Sequence, residues 1–422
     1  MTSTPRAKKR SLLRRIAPAV LLLLSPAVAR ADVVLDWNAI MIQTIAANPF
    51  ATQRYTAITQ LAVFEAVNAI VGDYEPYLGT ITAPPGASAE AAAAAAAHAV
   101  LSTYFPAKAL ELDAALATSL AAIPDGPGKD DGISVGRAAA AAMIALRAND
   151  GATPPAFRPA GPAEPGRWQS TPSCPAAGAT NLQWATLTPF GVPDVRAFRA
   201  EPPPRLTSDR YRRDYLEVKT VGAVDSVRPQ DRTDVARMYA AGLSPAGWAN
   251  WTARQVAFAQ GRSLSENARG LALLNMALND ASVAVFDSKF LYDFWRPETA
   301  IHGAATDGNT RTEPDSAFVP FITAPCFASY PSNHGTASGA AAFILERLYG
   351  KSHHDISLSA PSVPGVMLHY SSFRDIVQDV DDARVYGGIH FRFDQEAGGK
   401  QGRAIAEYIY ENRLRPVRGD RR

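Results

Sequence analysis

Apolar residues recur along most of this chain with the 3.6-residue period of helices packed on one face. The period predicts helices over residues 38–47, 54–71, 88–103, 107–122 and 132–148 in the first part of the chain. Within the second of these, Ile58, Leu61, Ala62, Phe64, Ala66 and Val67 share a face. The third carries an unbroken alanine run, Ala91 to Ala97, which favours a close helix–helix contact. Pro84-Pro85 and the Pro/Gly cluster at 124–128 punctuate the series. Helices resume at 208–222, 229–241, 245–259, 264–293, 334–349, 370–386 and 395–413. No strand-rich stretch and no internal repeat is evident. The predicted fold class is all-α, with two helical bundles packed together, at 32–150 and 207–422.

Residues 151–206 break the pattern. They are dense in Pro, Gly, Ser and Thr, with Pro154-Pro155 at one end and Pro202-Pro203-Pro204 at the other. Trp168, Trp184 and Phe190 give this long irregular connection apolar anchors, so it reads as ordered and packed across the helices. A disordered linker between independent domains is the alternative.

Charge and targeting change the picture. Residues 1–31 place Arg6, Lys8, Lys9, Arg10, Arg14 and Arg15 ahead of an apolar run, Ile16 to Ala29, and end on Ala29-Arg30-Ala31 before Asp32. This reads as an export signal, and a retained N-terminal anchor is the alternative. Without it, 35 basic residues face 40 acidic ones, so the formal +2 of the whole chain becomes −5. That balance, with no basic run and interleaved aromatics, argues against nucleic acid. No later segment offers 18 unbroken apolar residues, so no membrane span is expected in the mature chain. The expected location is periplasmic or extracellular. Such a compartment permits a single Cys174–Cys326 disulfide; two free buried thiols are equally compatible with the sequence.

Three segments carry the candidate chemistry: Lys289 with Arg296-Pro297, Pro331-Ser332-Asn333-His334, and Arg384 with Gly388, His390 and Asp394. They supply three cations, two histidines, a serine and a carboxylate. Cations with hydroxyl and backbone donors suit an oxyanion; one histidine can bond to its central atom while the other moves a proton. Lys289 and Arg296, seven apart, would share one helix face, and Pro297 places Arg296 near a helix C-terminus. Ser332 precedes a small-residue helix whose free amides could receive an anion; a plain N-cap is its bland role. His390 and Asp394 are i and i+4 if that segment is helical, so Asp394 could fix one ring nitrogen and free the other. Among the other histidines, His353-His354 reads as a solvated loop, His98 and His369 as structural, and His302 as a candidate for the pocket rim. Asp307-Gly308-Asn309 reads as a turn.

The three segments resemble the vanadium-dependent haloperoxidase and type 2 phosphatidic acid phosphatase superfamily, whose pattern is K-x6-R-P, P-S-G-H and S-R-x3-G-x-H-x3-D. Asn333 stands where Gly is usual, and Ala383 where Ser is usual. Leu35-Asp36-Trp37-Asn38, Ala66 to Ile70, Trp184 to Phe190, Asn279-Asp280-Ala281 and Gly308 to Asp315 resemble soluble bacterial haloperoxidase-type members. The resemblance implies vanadate as cofactor, with phosphate able to occupy the same site. It implies His390 as the sole protein ligand to vanadium. Lys289, Arg296, Ser332, Asn333 and Arg384 would contact the oxyanion, His334 would act as proton carrier, Lys289 would polarise peroxide, and Asp394 would support His390. Phe327, five before Ser332, would lie near the peroxide side. Three functions stay open: oxidation of halide by hydrogen peroxide, with small organic molecules as acceptors; hydrolysis of phosphate esters through a phosphohistidine; and a non-catalytic oxyanion-binding envelope protein.

Overall fold

The computed structural model describes residues 32–45 and 48–417. The export-signal segment, residues 1–31, lies outside them. Thirteen α-helices run in order among the described residues: α1 Val33–Thr44, α2 Pro49–Val71, α3 Ala89–Tyr104, α4 Ala109–Ala121, α5 Pro127–Leu146, α6 Asp209–Val221, α7 Gln230–Arg237, α8 Pro245–Ala259, α9 Leu264–Tyr292, α10 Pro297–His302, α11 Asn333–Tyr349, α12 Phe373–Tyr386 and α13 Arg392–Asn412. The all-α expectation holds, with one correction. Residues Ser352–Ser359 (β1) and Met367–Ser372 (β2) form an antiparallel hairpin between α11 and α12. Its buried side chains, Ile356 and Leu358 on β1 and Tyr370 on β2, are too few to read as strands from the sequence.

Helix α9 is the axis of the fold. It opens with a capping box, in which Ser263 and Glu266 each bond the other's backbone amide. Every residue from Ala268 to Phe286 is buried, polar Asn275, Asn279, Asp280 and Ser282 included, as expected of a central helix with packing partners on all sides. Helices α2, α11 and α13 pack along it. The alanine run of α3 is buried from Ala91 to Ala97 and packs on α5. There Gly136 comes so close that a Cβ would overlap the Ala92 carbonyl oxygen. Helices α11 and α13 cross by the same device: a Cβ at Gly402 would overlap the Thr336 carbonyl. That crossing brings the N-termini of α11 and α13 side by side, and the Ser332 amide donates to the Asp394 carbonyl at 3.0 Å.

The irregular connection packs through Trp168, Trp184 and Phe190, all buried. Two short 3₁₀ turns, Leu182–Thr186 and Val195–Phe198, interrupt it. It touches the chain just after α9, where the Trp168 amide donates to the Asp293 carbonyl at 2.8 Å. Cys174 and Cys326 are bonded, with Cα atoms 5.4 Å apart. The bridge ties the connection to the segment leading into α11. The described residues from Asp32 onward form one compact unit. No helix among the described residues is long and apolar enough to cross a membrane.

Candidate oxyanion site

Lys289 lies in the last turn of α9, and the helix ends with Asp293 in the left-handed region (φ 47°). The chain then turns, and Arg296 becomes the N-cap of α10. The two cations therefore do not share one helix face, as their spacing suggested; the turn at Asp293 brings them together. Lys289 is buried, and its Nζ donates to the carbonyls of Ala328, Ser329 and Pro331 at 2.8, 2.7 and 2.5 Å. All three ammonium donors are thus used on the 328–331 segment. Arg296 is fully buried; its Nε donates to the Phe327 carbonyl at 2.9 Å and its Nη1 to the Ile389 carbonyl at 2.9 Å. The Phe327 ring lies 5.4 Å from Lys289 Nζ and 5.1 Å from the Arg296 guanidinium, within cation–π range.

Ser332 is the N-cap of α11, and its Oγ accepts from the Gly335 amide at 3.3 Å. An accepting hydroxyl still has its own proton to give. Asn333 and His334 are the first two helical residues, so their amides have no acceptor inside the helix. Asn333 needs no glycine-like backbone: it is absent from the positive-φ residues. Its Oδ1 lies 3.3 Å from Ser282 Oγ, which also reaches Gln53 Oε1; the one hydroxyl proton serves one of the two at a time. The side chain replacing the usual Gly is thus within reach of one donor from α9, Ser282, for which Gln53 of α2 competes.

Arg384 lies in the last turn of α12, with Nη1 donating to the Tyr239 carbonyl at 3.2 Å. Gly388 follows with φ 77°, and a Cβ there would overlap the Gly222 carbonyl oxygen. His390 sits between α12 and α13, not on a helix with Asp394. The pair still meets, because Asp394 is the third residue of α13 and faces back across its N-terminus. His390 Nδ1 is 2.8 Å from Asp394 Oδ2, and His390 Nε2 is 3.0 Å from Arg296 Nη1. A guanidinium can only donate, so Nε2 accepts and Nδ1 carries the proton. Asp394 Oδ2 also takes the Phe391 amide at 3.0 Å and the Ser329 hydroxyl at 2.5 Å.

Three cations and one carboxylate share this buried space, and the titration directions follow. Burial, with Arg296 alongside, holds the Lys289 ammonium well below its usual range. Burial brings Arg296 down to about 9 and Arg384 to about 10. His334 and His390 are both pushed well below the usual imidazole range, first by burial and then by the three cations. Burial pushes the Asp394 carboxyl up to about 7 against the pull of Ser329, Lys289, the Phe391 amide and Arg296. Two buried nitrogens, Arg296 Nη2 and Arg384 Nε, have no hydrogen-bond partner. Orphaned cationic donors beside free helix amides are what a bound oxyanion would satisfy. Vanadate and phosphate both fit this donor set.

The sequence missed Ser329, Ser282 and Gln53; none lies in a motif, and each acts across a long loop or between helices. The other histidines stay outside the site. His98 pairs with Asp113 at 2.7 Å, and His369 lies 3.0 Å from Ser357 Oγ. His302 is exposed, with Nε2 2.8 Å from the Phe318 carbonyl. His353 and His354 lie on β1 instead of in a loop. Asp307 and Asn309 form the expected turn, closed by Thr312. No cluster of three or more His, Cys, Asp or Glu able to hold a metal ion occurs among the described residues.

Residues 269–419 match the family model described as the VCPO second helical-bundle domain. The fold resembles a bacterial vanadium-dependent iodoperoxidase at TM-score 0.73 and 23% identity, covering 92% of this chain and 97% of that one. It also resembles bacterial vanadium-dependent chloroperoxidases. The apo form gives TM-score 0.70 at 16% identity, covering 86% of this chain and 94% of that one. The holo form gives 0.69 at 17% identity, covering 92% and 93%. No curated protein matches the sequence. The superfamily resemblance read from the three motifs is borne out by the family model and the shared fold.

Proposed function

We propose that this protein is a vanadate-dependent haloperoxidase, exported, that oxidises halide with hydrogen peroxide. The observation that carries the reading is His390. Its Nδ1 proton is committed to Asp394, its Nε2 lone pair faces Arg296, and two unpartnered cationic nitrogens lie in the same buried space. Bound vanadate would supply a Lewis acid for peroxide. His390 Nε2 would be the atom that holds it, once the hydrogen bond it accepts from Arg296 Nη1 is released. Arg296 and Arg384 would offer their free nitrogens to its oxygens, and Ser332 its hydroxyl proton. Lys289 contributes charge; as its donors are all used on carbonyls, a direct contact requires releasing one of them. His334, kept neutral by burial and the cations, can take a proton from peroxide. The Phe50, Phe286 and Phe327 rings, 4.8 to 5.8 Å apart, form an apolar wall on the Lys289 side. The Cys174–Cys326 bridge supports export into an oxidising compartment.

Phosphate ester hydrolysis is the second reading, and the same geometry favours it to a degree. Nε2 is as suitable a nucleophile for phosphorus as a ligand for vanadium, and neutral His334 could, once protonated, donate to a leaving alcohol. Two assays on one preparation separate the readings: halide oxidation by peroxide after vanadate loading, and phosphate ester hydrolysis without vanadate. We expect the first to turn over and the second to be slow. Hydrolysis alone would reverse the assignment, and activity in neither would leave an oxyanion-binding protein.

A further inference from the structure

Ser329 lies outside every motif, yet it is fully buried and at the centre of the site's support. Its Oγ is 2.5 Å from Asp394 Oδ2 and 3.3 Å from His390 Nδ1. Asp394 Oδ2 collects three donors, from Ser329, His390 and the Phe391 amide, while Oδ1 is buried with none. A carboxylate with one saturated and one empty oxygen has a defined orientation only while those donors hold it. Two of the three are the neighbouring backbone of α13 and the imidazole being oriented. Ser329 is the one that comes from elsewhere in the chain.

The position of Ser329 is itself fixed. Lys289 Nζ grips the carbonyls of Ala328, Ser329 and Pro331, and the Ser329 amide donates to the Phe294 carbonyl at 2.8 Å. Both Lys289 and Phe294 border the turn that delivers Arg296. The segment that aims the Ser329 hydroxyl is thus clamped to the element that faces His390 Nε2.

We propose that Ser329 is a positioning residue: its hydroxyl locks the Asp394 carboxylate against His390 Nδ1 and so keeps His390 in the tautomer whose Nε2 carries no proton. The proposal rests on the oxyanion reading of the site. Hydrogen-bond partners behind a metal-bound histidine typically carry about 10–100-fold in affinity or activity.

The test uses full-length protein and orthovanadate as probe. Ser329→Ala should fold, lower vanadate affinity about tenfold, and shift the ¹⁵N resonances of His390 away from a single Nδ1-protonated tautomer. Ser329→Thr, which keeps the hydroxyl, should restore both readouts. In an Asp394→Ala background, where no side-chain oxygen is left for the hydroxyl to hold, the Ser329→Ala deficit should vanish, because Ser329 acts through that carboxylate. An unchanged tautomer in Ser329→Ala would overturn the proposal, as would a deficit that persists in Asp394→Ala. Wild-type protein that binds no vanadate would defeat the functional reading instead, while the ¹⁵N comparison would still decide the role of Ser329. Should Ser329→Ala not fold, the Thr variant with wild-type ¹⁵N shifts and affinity supports the role, and a lost tautomer despite a retained, bonded hydroxyl contradicts it.

Discussion

Two buried clusters of basic residues lie within this fold, and they solve their electrostatics in opposite ways. In the first, Asp150 Oδ2 takes Arg54 Nε at 2.7 Å and Arg147 Nε at 3.0 Å. The remaining guanidinium contacts go to the carbonyls of Arg147, Thr188 and Pro189, and Arg147 lies 3.7 Å over the Phe190 ring. Beside it, Asp280 takes the amides of Phe190, Gly191 and Val192 at 2.7, 2.6 and 2.9 Å. None of Arg54, Arg147 and Asp150 has a buried side-chain nitrogen or oxygen without a partner. In the second cluster, Lys289 and Arg296 face the single carboxylate of Asp394, Arg384 has no carboxylate of its own among the described residues, and Arg296 Nη2 and Arg384 Nε are left over. The first cluster closes itself and fastens the irregular connection to α2, α5 and α9. The second is closed only by an anion from outside. Of the two clusters, only the second leaves cationic donors unmet, as a site completed by an anion requires.

The largest contrast should come from His390→Ala. It removes the nitrogen that bonds to vanadium or phosphorus, so turnover should fall to background while circular dichroism stays helical. His334→Ala should still bind vanadate but lose roughly 10²–10⁴-fold in rate. Equal loss of vanadate in both variants would show that the histidines do not divide the roles as described. Asp150→Ala breaks the comparison from the other side. It leaves two buried guanidiniums unpaired and should cost about 3–5 kcal/mol in urea unfolding, with vanadate affinity of the folded protein unchanged. A specific loss of vanadate affinity there would mean that the clusters are coupled.

Reduction of Cys174–Cys326 should cost about 2–4 kcal/mol. Because Cys326 precedes the Phe327 carbonyl that receives Arg296, it should also weaken vanadate binding, which titration of reduced protein would reveal. The smallest effect concerns pH. His334 has its folded pKa lowered, so the unfolded chain binds the proton first as pH falls. Its contribution to stability is present above the unfolded imidazole value of about 6.5 and is lost below it. His334→Gln should therefore lose less stability than wild type between pH 7 and 5. Parallel curves would place His334 in a more solvated setting.

Much of this was legible in the sequence, and the misses share a cause. Helices showed through their period because α2, α3 and α9 bury continuous apolar faces. The three motifs pointed to the residues that gather at the site. Their geometry did not follow from spacing. Asp293 ends α9 before Arg296, and His390 lies ahead of α13, so both pairs meet through turns whose shape depends on distant packing. Ser329 was invisible because its partner is sixty-five residues away and its aim is set by Lys289. The hairpin hid because only Ile356 and Leu358 mark its buried row on β1. The cysteine pairing depended on where residues 151–206 fold back.

The most direct test of an anion-completed site is an equilibrium titration of the purified protein with orthovanadate, followed by ⁵¹V NMR and thermal unfolding together. The account predicts one vanadate per chain, a rise in unfolding temperature with vanadate concentration, competition by phosphate, and loss of all three in His390→Ala. Vanadate that does not bind, or that binds equally well to His390→Ala, would contradict it.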